Sequence, residues 1–177
     1  DLHLDCRRQR QMCIRDSITA MRWKLPWGEV EPVTTEAAFD QRMATLVAEK
    51  DPQQPLFIWG YHQLWHGAMS KARIESIAGQ RPTVVWHRSY HELYMNSAAM
   101  EMVGVVAEDI KPGMQINVER GHFYEGGLGY AINRLNPWIL APDKYAAGLQ
   151  RLKQVVHHGG HTSIGDLATG MFNFSAE

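Results

Sequence analysis

The chain has 177 residues, 45% of them hydrophobic and 21% charged, with a net charge of -1. That length supports one domain with a real core, and the balanced charge gives no sign of a nucleic-acid or acidic-membrane partner. No apolar run is long enough to span a bilayer, and the stretch 14–21 is too short and too polar for a secretory signal, so the sequence reads as cytoplasmic with no membrane partner.

Residues 1–17 differ from all that follows. They cluster Arg and Gln without a helix or strand period, and they hold both cysteines, Cys6 and Cys13. The MCIRDS run is similar to a translated sequencing-adapter tail, so residues 1–17 read as a non-native tail. The remaining chain then has no cysteine and no disulfide. Residues 18–32 are a loop rich in Trp, Pro and Gly, of the kind that packs down on a larger body.

Thr34 or Thr35 caps a predicted helix running to about Lys50, with Phe39, Met43, Leu46 and Val47 as its apolar stripe. Prolines at 52 and 55 stop it. Leu56-Phe57-Ile58-Trp59-Gly60 is a short continuous apolar run and reads as a strand buried on both faces. The next segment, 61–67, reads as a loop in which His62 and His66 stand four apart between Gly60 and Gly67. Such a pair can share a metal on a helix, but glycine-bracketed loop spacing points away from that. Ser70 caps a short helix over 71–78, which Gly79 closes.

The run 82–102 is the most informative stretch. Thr83-Val84-Val85-Trp86-His87 is β-branched and aromatic and reads as a packed strand. A polar turn with Arg88 and His91 follows, then Asn96 or Ser97 as the cap of a helix that carries Ala99, Met100 and Val103 on one side and stops at Gly104. Residues placed where a strand hands over to a helix are well placed for a site in an α/β protein. Further on, Lys111-Pro112-Gly113 is a turn, 115–119 an edge strand, and Gly121–Gly127 a glycine-rich loop holding His122 and Glu125 that opens a helix over about 128–135. This loop lacks the Lys-Ser/Thr of a phosphate-binding loop. Pro142 begins the last helix, with Tyr145, Leu149, Leu152 and Val156 as its buried stripe, and the Gly159-Gly160 pair ends it. Residues 161–166 read as a strand ending in Asp166.

Several of these pieces together resemble the amidohydrolase superfamily, in the long-chain branch related to N-substituted formamide deformylases. The resemblance covers about 55–166. It rests on the strand 55–60, on Arg81-Pro82, on His87-Arg88-Ser89-Tyr90-His91-Glu92 with Asn96-Ser97-Ala98-Ala99, on Gly104, on Gly121-His122-Phe123-Tyr124-Glu125, and on His161 to Asp166. The family pattern has Val where Thr83 stands and Leu where Met100 stands.

The resemblance implies an α/β fold, a metal-dependent (β/α)8 barrel in which a divalent metal, zinc by preference, activates a water that attacks an amide-type carbon. It implies an internal fragment. Residues 18–157 would be the active-site-covering insertion between barrel strands one and two, and 158–177 strand two with the start of the next helix. The family's metal ligands fall outside the matched region, so no metal is expected in the fragment itself, which would be inactive alone, and its catalytic residues stay unassigned. His91, Asn96, His122, Glu125 and Asp166 would face the mouth and contact a small-molecule amide-type substrate. Each has an equally ordinary use as a cap, a turn or a core hydrogen bond. Two other readings stand beside this one: a non-catalytic α/β module whose 87–97 turn and Gly121–Gly127 loop bind a small ligand, and a zinc hydrolase built on His157, His158 and His161.

Overall fold

A computed structural model of the chain describes residues 18–19, 31–163 and 165, with the backbone alone at 18–19 and 143–144. The tail 1–17, most of the aromatic loop 18–32, and Asp166 lie outside the described residues.

In chain order the elements are β1 (Ile18–Thr19), α1 (Glu36–Glu49), β2 (Leu56–Tyr61), α2 (Gln63–His66), α3 (Lys71–Ala78), β3 (Thr83–His87), β4 (Glu92–Met95), α4 (Ser97–Met102), β5 (Ile116–Asn117), β6 (His122–Tyr124), α5 (Gly126–Ile139) and α6 (Pro142–His158). The strands form one six-stranded sheet in the order β1-β2-β3-β4-β6-β5. β1, β2 and β3 are parallel, and β4, β6 and β5 continue antiparallel. The class is the expected α/β. The sheet is open and mixed, and its described strands close no barrel.

Apolar residues on both faces explain the continuous hydrophobic strands. On one face Leu56, Ile58, Tyr61, Val85 and Tyr94 pack against Phe39, Met43 and Leu46 of α1 and Ile74 and Ala78 of α3. On the other, Phe57, Trp59, Val84, Trp86, Leu93, Met95 and Phe123 pack with Ala99 and Met100 of α4 and Leu128, Ala131, Ile132 and Leu135 of α5. Trp59 and Tyr61 are two residues apart yet belong to opposite faces. The cause is a bulge at Gly60, where the β2–β3 register shifts and φ is +98°. An extra residue in a strand turns every later side chain over, and glycine tolerates the conformation.

Local chemistry sets the element ends. The Thr35 hydroxyl accepts from Ala38 N–H at 3.2 Å, and Ser70 Oγ accepts from Arg73 N–H at 3.2 Å. The C-terminal end of α1 is closed from a distance. The buried Arg81 guanidinium donates to the carbonyls of Val47, Lys50, Asp51 and Gln54 at 2.7–3.2 Å. It fills the acceptors that a helix end leaves unsatisfied.

Five expectations need correction. The stretch after β3 is not a single polar turn leading into a helix. Glu92–Met95 returns along β3 as β4, pairing Val84 with Met95 and Trp86 with Leu93. The loop Gly121–Gly127 contains β6, which pairs with β4. The segment 61–67 holds the short helix α2, with His62 as its cap: His62 Nδ1 accepts from Leu64 N–H at 3.2 Å. On α6, Leu152 and Val156 are buried, but Tyr145 and Leu149 are 44% and 42% exposed, so the buried stripe covers only the C-terminal half. No strand forms over the described residues 161–163 and 165.

Candidate functional site

The parallel strands β2 and β3 end at the same edge of the sheet, in Tyr61 and His87. The antiparallel register brings the start of β4, Glu92, opposite the end of β6, Tyr124, at that edge. The carboxyl ends of parallel strands are where α/β sheets gather their sites. Here that edge collects His62, Gln63, His87, Ser89, His91, Glu92, His122 and Glu125.

Two carboxylate–imidazole pairs organise it. His91 lies in the β3–β4 turn, and its Nδ1 is 3.1 and 3.2 Å from the two oxygens of Glu125. Glu125 N–H also donates to His91 O at 2.8 Å, so the turn and the start of α5 are tied by both main chain and side chain. Glu125 holds φ at +46°, a region non-glycine residues seldom occupy and one that costs about 1–3 kcal/mol. Both side chains reach solvent. In the second pair, Glu92 Oε2 accepts from His122 Nε2 at 2.5 Å and from Tyr94 OH at 3.2 Å. The His122 ring stacks on Tyr94 at 4.4 Å.

His87 sits beside the second pair. Ser89 N–H donates to its Nδ1 at 3.1 Å, which makes that nitrogen an acceptor. Nε2 then carries the proton and donates to Gln63 Oε1 at 2.9 Å. Burial drives His87 down to about 4, against the opposing pull of Glu92. The hydrogen bond from His122 holds Glu92 below the usual carboxylate range. Burial raises Tyr94, and it pushes Tyr61 up to about 12. At neutral pH the edge therefore presents an anionic Glu92, a neutral His87 and two protonated phenols.

The expected site residues divide. His91, His122 and Glu125 meet at this edge. Asn96 is at the opposite end of β4 and fully buried. Its Oδ1 accepts from Thr83 N–H at 2.9 Å and Ala99 N–H at 3.0 Å, and its Nδ2 donates to Arg81 O at 2.7 Å and Gly79 O at 3.2 Å. Every hydrogen-bonding position of that amide is spent inside the fold. His87, Gln63, Ser89 and Glu92 were not among the expected residues. The alternation Glu92-Leu93-Tyr94-Met95, polar then apolar, was the available signal for a strand with Glu92 and Tyr94 on one face.

Among the described residues no three His, Cys, Asp or Glu side chains converge as a metal cage. Both nitrogens of the buried His66 are occupied, by His62 N–H at 3.1 Å and Val33 O at 3.1 Å. His157 and His158 end α6 on the surface. A divalent ion therefore does not fit a site made of the described side chains. Among those residues no helix is long and apolar enough to cross a membrane.

No protein-family model and no curated protein matches the chain. Two solved structures do match it, and they share its α/β fold. One is an uncharacterized metal-dependent hydrolase from Pyrococcus horikoshii OT3, with a TM-score of 0.58 at 15% identity, covering 89% of this chain and 29% of that one. The other is an uncharacterized metal-dependent hydrolase from Pyrococcus furiosus, with a TM-score of 0.55 at 16% identity, covering 90% and 30%. At these identities the likeness is one of fold, and this chain spans less than a third of the length of either hydrolase.

Proposed function

We propose that this chain is part of a metal-dependent amidohydrolase that cleaves an amide-type C–N bond, and that the hairpin edge binds and orients a small-molecule substrate. The observation that carries this reading is the coverage. Nearly all of this chain matches hydrolases of about three times its length. In this reading the divalent metal, zinc by the resemblance, and its ligands belong to sequence outside the chain, so the chain alone does not hydrolyse the amide-type bond. His91 offers its Nε2 to substrate while Glu125 fixes its Nδ1, and His122 and Glu92 form the adjoining wall. Asp166, outside the described residues, is proposed from the resemblance alone to contact the same substrate. Asn96 acts through stability.

The test is the uninterrupted reading frame on both sides and the activity of its product. A His-x-His upstream of residue 18, with a Lys, two His and an Asp downstream of residue 177, is expected. Changing His91 to Ala in that product should lower kcat/KM about 10–100-fold. A frame lacking those ligands overturns the proposal.

A second reading has one observation in its favour. Helices cover both faces of the sheet and two closed clusters fill it, as in a free-standing ligand-binding module. A frame that ends near residues 18 and 177 would favour it.

A further inference from the structure

We propose that Ser89 is an acyl-accepting nucleophile, with His87 as its base and Gln63 as the group that orients the base, so that this chain alone takes up an acyl group from an activated ester. This is independent of the metal-dependent reading above. Ser89 Oγ is 2.7 Å from His87 Nδ1, and His87 Nε2 is 2.9 Å from Gln63 Oε1. A nucleophile within reach of a base, itself held by a third group, is the arrangement that activates a hydroxyl.

The tautomer is fixed from both sides. Nδ1 is an acceptor because Ser89 N–H points at it, and Nε2–H is held by the Gln63 carbonyl oxygen. The Ser89 hydroxyl proton is therefore directed at the Nδ1 lone pair. Ser89 Oγ also accepts from His91 N–H at 3.2 Å, which fixes the oxygen within the turn. Ser89 is half-buried at the edge of the sheet, open enough to meet an ester, while His87 is only 5% exposed.

The charge that forms on reaction has a partner. Glu92 Oε1 lies 3.9 Å from His87 Nδ1, and its other oxygen is held by His122 and Tyr94. When Nδ1 gains a proton, this fixed carboxylate stabilises the imidazolium, as a buried carboxylate does in a catalytic triad. Burial first, then His62, with its ring 4.9 Å from His87, and Arg88 oppose that charge, so the base is weak and acyl transfer is slow.

The step balances. Ser89 Oγ bonds to the acyl carbon, the bond from that carbon to the leaving oxygen breaks, and p-nitrophenolate departs with its electron pair. The hydroxyl proton passes to His87 Nδ1 and from there to solvent. Water later hydrolyses the acyl-serine.

The experiment treats the chain with p-nitrophenyl acetate in the presence of a metal chelator. The expected result is a burst of about one p-nitrophenolate per chain, a mass gain of one acetyl group, and a peptide map that places it on Ser89. Ser89→Ala should abolish the burst, and His87→Gln should slow it by about 100-fold or more. The peptide map of the unaltered chain decides the matter even if a variant misfolds. Acetyl groups on lysine, tyrosine or the amino terminus with Ser89 unmodified, or an equal burst from Ser89→Ala, would overturn the assignment.

Discussion

Burial takes the chemistry of His87 well away from that of a free imidazole. Its ordinary value is 6.5, and burial holds it at about 4 in the fold. The unfolded chain binds a proton below about pH 6.5 that the folded chain refuses. The stability tied to a neutral His87 is therefore complete above that pH and is lost as pH falls toward 4, by about 3 kcal/mol at most. Glu92 is lowered by its bond from His122, so its contribution is present above 4.5 and is lost as the pH drops further. Both effects slope the same way. Urea midpoints measured from pH 7 down to pH 4 should fall, and His87→Gln should flatten the part between 6.5 and 4. A wild-type curve that is level there would show that the site is wetter than its geometry implies.

His91 and Glu125 were legible as candidates because a His in a polar turn and a Glu beside glycines suit a binding edge. Their contact across 34 positions of sequence was not legible, because nothing local reports a partner in the next strand. Asn96 was legible as a helix cap. That its amide also bridges Thr83, Arg81 and Gly79 depends on β3 and α4 being neighbours in space.

At the scale of elements, the hairpin and its third strand decide where the site lies. A direct passage from β3 into a helix would have set His91 and Asn96 together. The antiparallel return of β4 separates them by the length of a strand. Gly121 makes the third strand possible. It has φ of +64°, its carbonyl accepts from Met95 N–H at 2.8 Å, and a Cβ there would collide with the Met95 carbonyl oxygen. Gly121→Ala should therefore cost about 2–4 kcal/mol and displace His122 from Glu92. Thermal unfolding measures the first effect, and the NMR shifts of the His122 ring measure the second. A loss below about 0.5 kcal/mol would mean that the backbone relaxes there freely. The helices and the long apolar strands were readable because their periods and caps are local. β4 and β6 were missed because four- and three-residue strands carry too few alternations to stand out from a turn.

Over the whole molecule, stability should grade from the middle of the sheet outward. β2, β3 and β4 have partners on both sides and helices on both faces. The strands at the two ends of the order, β1 and β5, are two residues long. Amide exchange should be slowest in β2 and β3 and fastest at β5, since edge strands open without disturbing the core. Equal protection of β5 and β3 would reveal a further layer over that edge.

The sequence by itself determined the α/β class, the positions of α1, α3 and α4 with their caps, and the buried character of β2 and β3, because propensity, capping and apolar runs act over a few residues. Only the tertiary structure decided that Ser89, His87 and Gln63 form one chain, that His91 meets Glu125, and that Asn96 serves the core. Those contacts join residues from different elements, and they exist only once the hairpin folds back and the bulge at Gly60 turns Tyr61 toward the site.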